Sequence, residues 1–325
     1  MSKHVDLSKV KKSAKKSGKK SHHLLKASTV LKLMSARKLS DKHSPPRRHL
    51  WGKLIGDRML GMIHGPRGGG KTFFVLSLAV AIANGLEFLG HKPKRPSKVV
   101  MLDGEMGFRL MRERLKTVSK ALGTSPPKNL LLLNPDLFDG ILPSLATSDG
   151  QAAIDALIDN DVGVIIVDNF SCWNRGGRED AEGWTAWNTW LLAHKRAGRT
   201  VIVVHHTGKN GDQRGTSARE DSLDFVIGLK PGNNKEFPDA LSFNLEWTKS
   251  RHLKREQASA IRATLVDADG KKSCWVFDRP PSAKDREAEA RALSAQGLNQ
   301  VQIAERMEVN KSTVSRMLKR KSDSK

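Results

Sequence analysis

Cysteine is almost absent from this chain. Cys172 and Cys274 stand alone among 325 residues. They are too few and too scattered for a disulfide framework or a zinc knuckle, so a reducing, cytoplasmic setting is expected. Long apolar runs are missing as well. None reaches membrane-spanning length, and the basic N-terminus lacks the apolar centre of a signal peptide. No segment repeats at a fixed period. Acidic residues are scarce beside basic ones, with 34 Asp and Glu against 57 Lys and Arg and a formal charge of +23. Such an excess attracts polyanions, nucleic acid first, and makes membrane association unnecessary to explain it.

Composition divides the chain into zones. Residues 1–23, with "KKSAKKSGKKSHH", have almost nothing to bury and are expected to be a disordered basic tail. Residues 24–49 form a linker in which Leu24, Val30, Leu31, Met34 and Leu39 mark a rough helical stripe. That stripe suits a short helix docking on the core or on a neighbouring subunit, and Pro45 and Pro46 end it. Within residues 50–278, apolar runs alternate with helical stretches. "RMLGMIH", "SKVVMLD", "NLLLLNP", "VGVIIVD" and "TVIVVHH" read as strands. Their nearly continuous apolar character suits parallel strands covered on both faces. "KTFFVLSLAVAIANG", "AAIDALID" and "DAEGWTAWNTWLLAHKRAG" supply helices, and Trp184, Trp187 and Leu191 form a core-facing stripe on the last. The alternation predicts an α/β doubly wound sheet. After Leu223 come strands joined by turns, expected to extend the sheet in antiparallel fashion. Residues 279–283, "RPPSA", read as a linker before a small all-α domain at 284–325.

"GPRGGGKT" fits the phosphate-loop pattern G-x-x-x-x-G-K-[ST] in full. Gly65, Pro66, Arg67, Gly68, Gly69 and Gly70 form a loop whose backbone N–H groups, all but that of Pro66, can wrap phosphates, because its glycines carry no Cβ. The following helix points its positive end at the same anion. Lys71 reaches the β- and γ-phosphates of ATP, and Thr72 offers its hydroxyl to Mg²⁺. Asp168, at the end of "VGVIIVD", is placed to hold Mg²⁺ through its water shell. Asp103 and Glu105 follow another strand, at the sheet edge where ligands collect. Glu105 is the candidate to polarise the attacking water, with Asp103 second. A polar turn opening a helix at Phe108 would explain the same residues without catalysis.

Taken in order, these residues resemble the RecA-like ATPases, and within them the RepA-type replication helicases of plasmids and mobile elements, over roughly residues 50–278. The resemblance implies a catalytic glutamate at Glu105, a Mg²⁺-site aspartate at Asp168 and a γ-phosphate sensor at the second of the paired histidines, His206. His205 and His206 point to opposite faces of a regular strand, so a shared zinc ion is not expected. The resemblance also implies a mobile DNA-touching loop at 208–219, with Lys209, Arg214 and Arg219 as its contacts. It further implies a basic finger, Lys249 and Arg251 of "EWTKSR", that enters the next subunit's site. Such a finger requires head-to-tail assembly, a hexameric ring or a filament. An ordinary solvated loop and a surface basic pair are the plainer alternatives.

"NQVQIAERMEVNKSTVSRMLKRK" reads as helix, turn, helix, and resembles resolvase-like and regulator-like DNA-binding domains. Ile303, Ala304, Met307, Val309, Val314 and Met317 take the inward positions. Lys311, Ser312, Thr313, Ser315 and Arg316 are left to face DNA. Glu308 occupies the turn position where a glycine is common. A protein-binding three-helix bundle is the competing reading. The expected whole is an oligomeric, ATP-hydrolysing, DNA-associated motor. A DNA-binding regulator or partition-type ATPase switch competes with it, and a small-molecule kinase is a more distant third.

Overall fold

The computed structural model describes residues 34–137, 140–175, 181–207, 220–254, 257–268, 272–279 and 283–319. The basic tail, the 208–219 segment and most of the expected docking stripe lie outside the described residues. What is described of that stripe is α1 (Ala36–Asp41), started by the Ser35 side chain accepting from Lys38 N–H. No residue of α1 is buried, and Met34 and Leu39 are exposed. The described part of the stripe therefore does not dock on the core, contrary to one expectation.

A two-stranded hairpin, β1 (His49–Trp51) and β2 (Ile55–Gly56), opens the folded region and was not foreseen. The main chain then builds β3 (Leu60–Gly65), α2 (Lys71–Asn84), β4 (Lys98–Asp103), α3 (Phe108–Ala121), β5 (Leu130–Leu133) and α4 (Ser148–Asp155). It continues with β6 (Val162–Asp168), α5 (Phe170–Trp173), α6 (Ala181–Arg196), β7 (Thr200–His206), β8 (Phe225–Pro231), β9 (Leu241–Ser250), β10 (Ile261–Ala268) and β11 (Lys272–Asp278). Nine strands form one sheet in the order β11-β10-β9-β8-β3-β7-β6-β4-β5. This is the expected α/β architecture, a mainly parallel sheet with an antiparallel extension.

One detail differs. β8 pairs parallel with β3, and the antiparallel part begins only at β9. An apolar run bounded by turns carries no record of its direction, so the boundary could not be read from sequence.

The helix expected over "AAIDALID" starts earlier, at Ser148. Thr147 accepts from Gly150 N–H there and satisfies a helix-end donor that would otherwise be orphaned.

Two apolar layers sandwich the sheet. β6 is buried along its whole length, as a strand covered on both faces must be. α2 is buried almost all round, from Phe74 to Ala83, which is why its sequence shows no polar face. On its side of the sheet, Trp51, Phe74, Phe88 and Phe243 pack ring to ring. On the other side Trp173, Trp184, Trp187 and Trp190 gather around Phe170 and Leu191, so the α6 stripe is core. At Gly61 any side chain would collide with the Phe225 ring, since a Cβ there would lie 2.0 Å from Cζ.

Three C-terminal helices follow: α7 (Ala283–Ala295), α8 (Gln300–Arg306) and α9 (Lys311–Lys319). They share a small core of Ala290, Leu293, Ile303, Ala304 and Val314, with Met307, Val309 and Met317 packed against it. A capping box starts α8, with Asn299 accepting from Gln302 N–H and the Gln302 side chain accepting from Asn299 N–H. Between α8 and α9, Glu308 has φ 53°, the left-handed conformation that the turn demands of a residue that is not glycine. Lys235, in the β8–β9 connection, forms an ion pair with Glu308.

Candidate functional site

The parallel strands all deliver their carboxyl ends to one edge of the sheet. In register, Gly65 of β3 pairs with His206 of β7, and Asp103 of β4 pairs with Asp168 of β6. Four strand ends therefore converge on one cleft of about 410 Å³. Its walls include Gly68–Thr72, Asp103, Glu105, Asp168 and His206.

The loop between β3 and α2 is fixed by glycine at defined points. Gly70 has φ 83°, and a Cβ there would lie 2.8 Å from the Phe243 ring. A Cβ on Gly65 would lie 2.7 Å from the Leu229 carbonyl oxygen. Lys71 is buried, and its ammonium donates to the carbonyls of Gly65 (2.9 Å) and Pro66 (2.7 Å) across the loop. Burial lowers its pKa, while the negative charges of Asp168 and Glu105 oppose that shift. Thr72 follows at the first turn of α2 and donates its hydroxyl to Asp168.

Asp168 is buried, and burial pushes its pKa up to about 7 against the Thr72 hydrogen bond and the Lys71 charge. A carboxylate so placed gains most from a cation brought beside it. Thr72 and Asp168 thus form a hydroxyl–carboxylate pair of hard oxygen donors that fits Mg²⁺. Among the described residues, no cluster of three or more His, Cys, Asp or Glu side chains could hold a metal by itself.

Asp103 and Glu105 are brought to the same turn but are used differently. Asp103 is buried and accepts from Glu105 N–H, Met106 N–H and Asn134 Nδ2. Glu105 is 55% exposed and faces the cleft, with Oε2 3.5 Å from His206 Nε2. The polar turn at Phe108 is also real, because Asp136 accepts from the Phe108 N–H that opens α3.

The paired histidines separate as strand alternation requires. His205 is buried, edge-on to Phe170 at 5.5 Å, whereas His206 lines the cleft. Burial and the nearby Lys71 charge lower the His206 pKa against the opposing pull of Glu105, a shift that favours the neutral imidazole.

Two residues, one behind the cleft and one in its wall, escaped sequence reasoning. Asn169 is buried and donates from Nδ2 to Glu105 Oε2 (2.5 Å) and to His206 Nε2 (3.1 Å). Arg114 of α3 lies over the Phe73 ring at 4.9 Å, and both line the cleft wall. The nine-residue step from Glu105 to Arg114 carries no motif that would have singled Arg114 out.

Lys249 and Arg251 are not in this cleft. Lys249 pairs with Val226, which pairs with Met62, and Arg251 N–H donates to Asp224, whose N–H donates to Leu60. Both residues therefore sit at the amino end of the parallel strands. Leu60 and Gly65 are five residues apart, roughly 16 Å along a strand. Lys249 and Arg251 donate to the backbone carbonyls of Glu220 and Asp221. Lys209, Arg214 and Arg219 lie outside the described residues. On α9, Lys311, Ser312 and Arg316 are exposed, and Thr313 and Ser315 are half-buried.

A glycine-rich loop between strand and helix, with a buried lysine, a Thr–Asp pair and a mainly parallel sheet behind it, defines a P-loop ATPase. A family model described as an AAA domain matches residues 27–212, more than half of the chain. The protein belongs to that family. No curated protein matches it. Among solved structures, the crystal structure of the RadB recombinase aligns with 65% of this chain and 89% of its own, at 16% identity and a TM-score of 0.44. Among the described residues, no helix is long and apolar enough to cross a membrane.

Proposed function

We propose that this protein is an oligomeric ATPase that acts on DNA, a RepA-like replicative helicase of a plasmid, phage or integrated element. The convergence of Lys71, Thr72, Asp168, Glu105 and His206 on one cleft carries the ATPase part of this reading. In it, the loop from Gly65 to Gly70 holds the phosphates, with Lys71 set against the negative charge of the β- and γ-groups. Thr72 and Asp168 hold Mg²⁺, which when bound offsets charge on the transferring phosphoryl group. Glu105 orients the attacking water and takes its proton. Neutral His206 stands beside it as the sensor of the γ-phosphate. Arg114 and Phe73 offer a flat surface for the base.

The position of Lys249 and Arg251 supports assembly. They lie too far from their own phosphate loop to serve it, so a catalytic part for them requires a neighbour's loop. Head-to-tail packing supplies that neighbour, in a hexameric ring or a filament. DNA is the partner favoured by the +23 charge and by the exposed Lys311, Ser312 and Arg316 of α9. We read residues 284–325 as a helix-turn-helix domain, with α9 as its groove-reading helix.

ATP hydrolysis measured with and without single-stranded and duplex DNA, at several protein concentrations, tests this reading. Stimulation by single strands that rises with protein concentration is expected, together with strand displacement on a forked duplex. The exposed α9 face favours a second reading, a regulator switched by ATP. Duplex binding and hydrolysis without strand displacement would select it.

A further inference from the structure

Behind the cleft, in contact with two of its lining residues, lies a buried amide that the ATPase roles above do not use. Asn169 directly follows Asp168 at the end of β6 and is only 1% exposed. Its Oδ1 accepts from Cys172 N–H at 3.2 Å, capping α5. That bond decides which way the amide faces, and so turns Nδ2 toward Glu105 and His206. One Nδ2 group then meets two partners, Glu105 Oε2 at 2.5 Å and His206 Nε2 at 3.1 Å. An amide nitrogen has two hydrogens, one for each. The arrangement fixes His206 Nε2 as an acceptor, which requires the neutral ring that burial also favours.

Glu105 needs such a tether. It sits on the turn after β4, is more than half exposed, and has no strand to hold its side chain. Its reach toward the phosphates is set by what grips its carboxylate.

We propose that Asn169 is a positioning residue that couples the γ-phosphate sensor to the general base, by sharing one amide between His206 and Glu105. This rests on the assignment of Glu105 as base made above. While His206 accepts from Asn169, Glu105 is held through the same group. A shift of His206 on the neighbouring strand end frees one amide hydrogen and changes where Glu105 points.

Asn169→Asp separates this role from a structural one. Aspartate caps a helix as well as asparagine does, so Oδ1 can still accept from Cys172 N–H. It replaces the shared donor by a second carboxylate, which repels Glu105. The expected result is a fall in kcat of about 100-fold, within the range that general-base catalysis supplies. The melting temperature is expected to fall, because a carboxylate enters a buried site beside Asp168, whereas the affinity for ADP without metal is expected to stay close to wild type. In a Glu105→Gln background, adding Asn169→Asp is expected to cost almost nothing more, because residues acting as a unit are not additive. Wild-type kcat in Asn169→Asp would overturn the proposal. So would a loss that multiplies in full with Glu105→Gln, or one matched by an equal loss of ADP affinity. Normal turnover by Glu105→Gln alone is a different failure, since it removes the base assignment itself.

Discussion

The backbone N–H of Glu105 donates to Asp103 Oδ1 at 3.1 Å, and this contact sorts the two acids at the end of β4. Asp103 spends both oxygens holding the turn, on Glu105 and Met106 through Oδ1 and on Asn134 through Oδ2. Glu105 is presented by that turn to the cleft. Glu105→Gln is therefore expected to keep nucleotide binding and to lose hydrolysis by about 10²–10⁴-fold. Lys71→Ala is expected to lose both. Asp103→Asn acts through the fold, lowering stability by about 1–3 kcal/mol as a buried acceptor is exchanged for a donor. Phosphate release at saturating ATP, beside a direct binding titration, checks all three. Unchanged turnover by Glu105→Gln would transfer the base assignment to Asp103.

Much of this site was legible because its parts obey local rules. The phosphate loop is a spacing of glycines, and Asp168 follows an apolar run that could only be a strand. The separation of His205 from His206 follows from the two-residue period of a strand. Asn169 was not legible, since its partners are 64 and 37 positions away and only the sheet register brings them together. Arg114 meets Phe73 by the packing of α3 beside α2, which no single-helix pattern records. The direction of β8 was lost for the same reason: strand sense is a property of the pair.

Asp168 predicts how stability changes with pH. Its folded pKa is raised to about 7 by burial, so the folded chain holds this proton more tightly than the unfolded chain does. Below the ordinary carboxylate range both states are protonated and nothing is lost. As pH climbs toward and through 7, the unfolded chain ionises first, and the folded state loses up to a few kcal/mol relative to it. The metal-free protein is expected to lose stability across that window, and Asp168→Asn to flatten the loss. Denaturant titrations from pH 5 to pH 8 measure it. An unchanged pH slope in Asp168→Asn would show that other groups carry it.

Lys249 and Arg251 predict complementation between subunits. With both at the amino end of the parallel strands, an Arg251→Ala subunit keeps its own phosphate loop intact. A Lys71→Ala subunit keeps its finger. Each variant alone is expected to be inactive. Mixed, they are expected to recover part of the ATPase activity, because one intact loop can meet one intact finger across an interface. The recovered rate should peak at an intermediate mixing ratio. No recovery at any ratio would mean that Arg251 acts within its own subunit or has no part in hydrolysis.

The two basic ends are expected to differ in how they hold DNA. Residues 1–23 carry lysines in a sequence with nothing to read a groove, so they neutralise phosphates only. Deleting them is expected to weaken binding about equally for every DNA and to flatten its salt dependence, as fewer counterions are released. α9 is different in kind. Arg316 Nε donates to the Ser312 carbonyl at 3.3 Å and its Nη2 to the Thr313 hydroxyl at 3.4 Å, so the guanidinium is aligned along the helix beside Ser312. Arg316→Ala and Ser312→Ala remove exposed atoms and leave Ile303, Ala304 and Val314 packed. They are expected to reduce discrimination between a preferred and a random duplex by about 1–3 kcal/mol, the scale of one base contact. A selection from random duplexes with the full-length protein supplies the preferred sequence. Salt titrations of the variants on both duplexes then separate the effects. An unenriched pool would remove α9 from sequence reading and leave Lys311, Arg316 and Lys319 as phosphate contacts alone.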